Sequence, residues 1–279
     1  MMKIYKTDSG IVVLEKGNCY LSPQQNWDAY INRDSLHRSV MEEITALKPV
    51  GDEHWLDSRA ILAPVGSQEV WAAGVTYLRS KTARMEESKE SGGATFYDKV
   101  YDAERPELFF KSTAARVVGP GQKVRIRKDS TWNVPEPELT LFISSSGKVQ
   151  AYTIGNDMSS RSIEGENPLY LPQAKTYDGS AALGPCLLVM EEEIPASTMI
   201  EMSIQREQET VFEGKIEISQ MKRSHEELVG FLFRECSFPH GCFLMTGTCV
   251  VPGNEFTLSK GDAIHITIEQ IGTLINVVE

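Results

Sequence analysis

A chain of 279 residues with 39 acidic and 28 basic side chains carries a formal net charge of −11, a field that repels nucleic acid and anionic membrane surfaces. Its 41% hydrophobic and 24% charged residues make an ordinary globular balance, enough for one large domain or a large and a small one. No apolar run approaches the roughly 18 residues that span a bilayer. The start, "MMKIYKTDSGIVVLEKG", lacks the charged-then-apolar profile of a signal peptide. Five cysteines (Cys19, Cys186, Cys236, Cys242, Cys249) are odd in number and form no CxxC pair, which points to reduced thiols in the cytoplasm.

The first unit begins with "KIYKTDSGIVVLEKGNCYLS", which reads as short strands joined at Ser9-Gly10 and Lys16-Gly17 turns. Leu36, Val40, Ile44 and Leu47 then recur at helical spacing. A shift to strand-like runs broken by Pro64 and Gly66 sets a boundary, giving a small N-terminal domain at 1–67 and a larger domain at 68–279. The second unit opens on the strand "EVWAAGV" (69–75), followed by a polar stretch from Arg79 to Glu107 that begins with helical character. Thr76, Ser80, Arg84 and Glu87 would share one face of such a helix. That segment is either a solvated helix with paired charges or a lid over a binding site.

From residue 108 the β signals dominate: "LFFK", "KVRIRK", "LTLFI", "VQAYTI", "CLLVM", "MSIQRE", "VFEGKIEIS" and "EFTLSKGDAIHITIEQIGTLINVV". One helix interrupts them at "SHEELVGFLFREC", where Ser224 and Glu227 have capping-box spacing and Leu228, Phe231 and Leu232 supply a buried stripe. The pattern predicts an α+β, β-rich domain with a small N-terminal appendage.

"WNVPEPELTLFIS" (132–144) sets Glu136 and Glu138 on one face of a strand, each after a proline. Pro137, Leu139, Leu141 and Ile143 share the other face and suit a core. If "SSSG" (144–147) turns on Ser145-Ser146, Glu136 faces Gly155 and Asp157 lies on the diagonal, where neighbours are about 7–8 Å apart. The three carboxylates are either a solvated acidic rim or a site for a cation that relieves their repulsion. All-oxygen ligands select Mg²⁺, Mn²⁺ or Ca²⁺ over Zn²⁺. The histidines (His37, His54, His225, His240, His265) are scattered and form no zinc motif, and no nucleophile elbow, Walker loop or Rossmann fingerprint is present.

"LPQAKTYDGSAALGP" (171–185) places Lys175 among small and apolar residues, a composition that suits a strand or tight loop passing near a ligand. Beside a dication its ammonium form is disfavoured, which suits it to moving protons.

Residues 69–278 resemble the fumarylacetoacetate hydrolase family through four ordered blocks: "PEPEL", "YTIGNDMSSR", "AKTYDG", and "LMTGTCVVP" with "LSKGDAIHITIEQIGTLINVV". The resemblance implies a mixed β-sandwich roll and a homodimer. It further implies Mg²⁺ or a similar ion on Glu136, Glu138 and Asp157, Lys175 as the catalytic lysine, and a small 2-oxo acid as substrate. Hydrolases of that family carry a G-x-N-Y-x-x-H segment whose His works in a His–Glu dyad. In "GVTYLRSKTA" Ser80 and Ala83 stand at those two positions. "GVTYLRSKTARMEES" and "EGENPLYLPQAK" instead resemble the branch that contains 2-keto-3-deoxy-D-arabinonate dehydratase. That implies dehydration of a 2-keto-3-deoxy sugar acid to a 2,5-dioxo acid, with Glu164 as the acid and Thr76, Ser80, Arg84, Tyr170 and Thr248 holding the substrate. The alternatives are a hydrolase or decarboxylase of acylpyruvates or oxaloacetate, and a metal-binding protein without catalysis.

Overall fold

The computed structural model describes residues 1–78, 85 and 94–279. Ser80, Ala83, Arg84 and Glu87 therefore lie outside the described residues. The N-terminal part contributes β1 (Met2–Thr7), β2 (Gly10–Glu15), β3 (Asn18–Leu21) and β4 (Gly51–Asp52). Then come β5 (Glu69–Gly74), β6 (Glu107–Ser112), β7 (Val117–Val118), β8 (Lys123–Val124), β9 (Asn133–Val134), β10 (Pro137–Ile143), β11 (Val149–Asp157) and β12 (Ser159–Ser160). The last six are β13 (Ala181–Val189), β14 (Met199–Arg206), β15 (Glu209–Glu217), β16 (Cys242–Met245), β17 (Ala263–Ile268) and β18 (Gly272–Val278).

The larger sheet runs β4-β3-β2-β1-β13-β11-β10-β16-β5-β6, with β7 beside β13, and a smaller one runs β15-β14-β17-β18-β8. Most pairings are antiparallel, but β16 runs parallel to β5, β18 to β8 and β13 to β7. This is the expected α+β, β-rich mixed architecture. Residues 1–67 extend the larger sheet, since Met2 pairs with Val189 and Ile4 with Leu187.

Strand alternation divides the side chains between two cores. Leu139, Leu141 and Ile143 of β10 join Ile200, Met202 and Ile204 of β14 and Ile264, Ile266 and Ile268 of β17 in one cluster. On the other face Phe142, Ala151, Leu183, Leu187 and Phe243 join Met2, Ile4, Leu36, Val40 and Ile44 of the N-terminal segment. β10 is thus buried along both faces, which explains its continuous apolar run. Each such Leu or Ile contributes about 1.5–3 kcal/mol of transfer free energy.

Several elements differ from expectation. β16 ("CFLM") is a central strand between β10 and β5 and is buried at every residue. With no polar position to mark a period of two, a run of four apolar residues carries no strand signal. "KVRIRK" pairs only at Lys123–Val124, because Arg125 and Arg127 turn to Asp178, Glu279 and Asp129. "EFTL" forms no strand: Phe256 N–H closes a turn onto Gly253 O. The helix His225–Leu232 starts as expected, with Ser224 accepting from Glu227 N–H. It buries Val229 rather than Phe231 alongside Leu228 and Leu232, and the Glu227 carboxylate pairs with Arg223 instead of the cap.

Candidate metal and catalytic site

The site lies at one end of the β10–β11 hairpin, on the face that carries Phe142 and Ala151. The turn is longer than expected. Gly147, at φ +76°, donates to Ser144 O at 2.9 Å, and Ser144 N–H bonds Lys148 O at 2.9 Å. A bulge then pairs Phe142 with Ala151 but Ile143 with Val149. The left-handed glycine and the extra bulge residue shift the register by two: Glu138, not Glu136, faces Gly155. Asp157 consequently lies directly across from Glu136, its N–H bonding Glu136 O at 2.9 Å, and not on the diagonal. A shift of two keeps every side chain on its predicted face, so the three carboxylates still converge. One ligand oxygen from each of Glu136, Glu138 and Asp157 lies within 4.8 Å of the others, and all three residues are buried.

Like charges at such distances repel by about 4 kcal/mol per pair at an effective dielectric constant of about 20, so cations must stand among them. Lys175 Nζ lies 2.6 Å from Glu136 Oε2 and 2.9 Å from Asp157 Oδ2, and also donates to Ser159 Oγ. Its element differs from the strand or loop expected. Lys175 ends a short helix, Leu171–Lys175, with Pro172 in the first turn, where the fixed φ of proline favours helix. The helix points the lysine back onto the hairpin, its ammonium 5.6 Å from the centre of the Phe109 ring. Glu164 is buried too, with Oε1 3.4 Å from Lys175 Nζ.

Two further cations come from positions not singled out from the sequence. Lys111, on β6, is fully buried, 2.6 Å from Asp157 Oδ1, and donates to Met158 O and Lys175 O. In "LFFK" it reads as the polar end of a strand. Burial pulls the Lys111 pKa down, against the opposing pull of Asp157. Arg161, inside the "GNDMSSR" block, places Nη2 2.5 Å from Glu136 Oε1 and Nε 3.8 Å from Glu164 Oε2.

Glu138 is the exception. Among the described residues no cationic nitrogen comes within ion-pair distance of it, and its Oε2 accepts from Gly247 N–H at 2.5 Å. Burial first, then Asp157 and Glu136, pushes its carboxyl well above the usual carboxylate range. A buried carboxylate left to two like charges is stable only with a proton or a cation.

The remaining expected residues are spread around this centre. Thr76 is buried and its hydroxyl donates to Thr246 O at 2.8 Å. Thr248 is buried, and its Oγ1 has no hydrogen-bond partner among the described residues. Tyr170 is 37% exposed, just before the Lys175 helix. Ser80 and Arg84 are outside the described residues. Burial drives the Tyr177 phenol upward, so it stays protonated beneath Lys111, whose Nζ is 5.9 Å from the ring centre.

The family described as "Fumarylacetoacetate (FAA) hydrolase C-terminal" matches residues 70–279. The chain belongs to the fumarylacetoacetate hydrolase family. Within that family it is 46% identical over 249 residues to the probable 2-keto-3-deoxyxylonate dehydratase of Haloferax volcanii, covering 89% of this chain and 84% of that protein. It is 44% identical over 221 residues to the 2-dehydro-3-deoxy-D-arabinonate dehydratase of Saccharolobus solfataricus, covering 78% and 74%. The fold of this fumarylacetoacetate hydrolase family member superposes with a TM-score of 0.84 and 35% identity on a solved 2-keto-3-deoxy-D-arabinonate dehydratase complexed with magnesium and 2,5-dioxopentanoate, over 100% of this chain and 98% of that one. The resemblance carried by the four sequence blocks is borne out.

Proposed function

We propose that this chain is a divalent-metal-dependent dehydratase that converts a 2-keto-3-deoxy sugar acid into a 2,5-dioxo acid and water. The observation that carries the reading is the buried Glu136–Glu138–Asp157 cluster with Lys175 on two of its members, in a chain 46% and 44% identical to two sugar-acid dehydratases. The donor set fits a hard dication: three buried carboxylate oxygens without His or Cys, one of them with no cationic partner among the described residues. Glu136, Glu138 and Asp157 would hold the ion. We assign Mg²⁺, with Mn²⁺ or Ca²⁺ as alternatives. A bound dication supplies Lewis-acid stabilisation of negative charge on the substrate carboxylate and 2-oxo oxygen.

The proton chemistry belongs to Lys175 and Glu164. An ammonium group cannot accept a proton, so Lys175 must first give one up. Glu164 Oε1, 3.4 Å away, is placed to receive it. Neutral Lys175 then takes the proton from C3. Protonated Glu164 gives its proton to the C4 hydroxyl, which leaves as water, and the C3–C4 double bond forms. Both groups end in their starting states. A shift of one proton from C5 to C3, then enol-to-aldehyde tautomerisation that protonates C4, yields the 2,5-dioxo acid. Arg161 spans Glu136 and Glu164 and so fixes the acid relative to the cluster. The buried Thr248 hydroxyl suits the substrate carboxylate, and Tyr170 the polyol end. Ser80 and Ala83, at the positions of the hydrolase His and Glu, argue against activation of a water for C–C cleavage.

We place the catalytic unit at residues 68–279, supported by the family match from residue 70, with residues 1–67 extending its sheet. Five free cysteines support a cytoplasmic location, since reduced thiols are the rule there. No helix among the described residues is long and apolar enough to cross a membrane. A homodimer, implied by the family resemblance, completes the proposal and is read by light scattering.

A screen of 2-keto-3-deoxy pentonates and hexonates with Mg²⁺, and with chelator as control, tests the function. Metal-dependent formation of a 2,5-dioxo acid supports it. Two carbon fragments from an acylpyruvate, or carbon dioxide from oxaloacetate, with sugar acids untouched, would establish the hydrolase or decarboxylase alternative. A protein that binds metal and turns over neither panel is the non-catalytic alternative.

A further inference from the structure

Resting on the metal reading, we infer that Thr76 is a positioning residue for Glu138, acting through the Thr246–Gly247 peptide. The two ends of that peptide are held by different groups. The Thr76 hydroxyl donates to the carbonyl of Thr246 at 2.8 Å. The N–H on the other end of the same peptide, that of Gly247, donates to Glu138 Oε2 at 2.5 Å. Hydrogen bonds in series across a peptide polarise one another. The Thr76 bond therefore both orients the peptide plane and strengthens the N–H that Glu138 accepts. Thr246 adds rigidity by donating to Leu139 O from both its N–H, at 3.0 Å, and its hydroxyl, at 2.9 Å. The peptide is thereby locked to the strand that carries Glu138.

Two backbone features serve this arrangement. Gly247 sits at φ +100°, and a Cβ there would collide with the Thr76 hydroxyl oxygen. Glycine is required both for the conformation and for the close approach. Thr76 follows Val75, which is held at φ +54°. Among the described residues the other non-glycine residues with positive φ, Lys16, Ser35, Glu207 and Gln208, are exposed and unbranched at Cβ, whereas Val75 is β-branched and buried. A β-branched side chain in that region is an outlier that persists only where the surroundings fix it, a situation concentrated at functional sites. Here the surroundings include the Lys222 N–H, which bonds Thr76 O at 2.9 Å. The strained turn swings the Thr76 hydroxyl onto the Thr246 carbonyl. Among the described residues Glu138 has no cationic partner within ion-pair distance, and this N–H holds its Oε2.

A direct substrate contact by Thr76 and a positioning role predict different data. Isothermal titration of MgCl₂ into the substrate-free protein separates them, using wild type, Thr76→Val and Thr76→Ser. Loss of a group that orients a metal ligand typically weakens metal binding by about tenfold or more. That is the expected result for Thr76→Val, while Thr76→Ser, which keeps the hydroxyl, stays near wild type. The Mg²⁺ concentration for half-maximal turnover rises by the same factor in Thr76→Val. Should Thr76→Val not fold, Thr76→Ala gives the same readout. Wild-type Mg²⁺ affinity in Thr76→Val with a raised substrate KM overturns the inference in favour of direct substrate contact. Equal loss in Thr76→Ser also overturns it, since the methyl group would then be what matters. A wild-type protein that takes up no Mg²⁺ overturns the metal reading itself, and this inference with it.

Discussion

Glu138 is buried beside Glu136 and Asp157 and keeps its proton far above the usual carboxylate range. The folded chain therefore binds that proton more tightly than the unfolded chain does. The Glu138 contribution to the stability of the metal-free protein therefore falls as pH rises past the unfolded carboxyl value, near 4.5, and continues to fall until the folded group ionises. Glu138→Gln removes this titration. Metal-free thermal unfolding across the acid-to-neutral range should show wild type losing stability relative to the variant as pH rises. The same variant should lose the Mg²⁺-induced rise in Tm. Parallel pH profiles would contradict the assignment. Val75 offers a second residue-scale test. Replacing a buried Val by Gly removes about 1.5–3 kcal/mol of burial, but at φ +54° it also releases about 1–3 kcal/mol of strain. Val75→Gly should therefore cost about 1 kcal/mol or less by urea unfolding. Val70→Gly, in β5 and likewise buried but without a positive φ, should cost about 3 kcal/mol. Equal costs would mean that no strain is stored at Val75.

Among the elements, the hairpin was legible in the sequence and its register was not. Period two placed Glu136 and Glu138 on one face and Leu139, Leu141 and Ile143 on the other, and the structure keeps that division. The pairing moved by two because a left-handed Gly147 and a bulge residue are decided by turn geometry, which alternation does not encode. Lys175 was legible by its neighbours, but its short helix was not, since five residues are too few to show a period. Lys111 was not legible at all. Its reach to Asp157 depends on β6 folding beside β5, a long-range pairing with no local trace. A further element-scale test concerns Arg223, which is buried and donates to the carbonyls of Val100, Tyr101, Ala103 and Glu104, at and just beyond the end of the helix Ala94–Asp102. Charge-assisted bonds of this kind are individually strong. Arg223→Met should cost about 3 kcal/mol and raise hydrogen exchange at residues 98–104 before the β10–β11 hairpin. A loss confined to the hairpin would show that Arg223 anchors something else.

At the scale of the molecule, both faces of β10 are buried, one against the smaller sheet and the other against the N-terminal segment. The carboxylates at its end are therefore held by a rigid central strand, as a metal site requires. The net charge of −11 would repel an anionic sugar acid, so attraction must be local, and a dication on the proposed Glu136–Glu138–Asp157 site would supply it. Residues 70–279 carry the family match. The most direct test is the mass and metal dependence of the product formed from a 2-keto-3-deoxypentonate. The account predicts a product lighter by one water and carrying an aldehyde at C5, formed with Mg²⁺ and abolished by chelator or by Lys175→Ala. Full-rate conversion in the presence of chelator, or cleavage of the carbon chain, would contradict it.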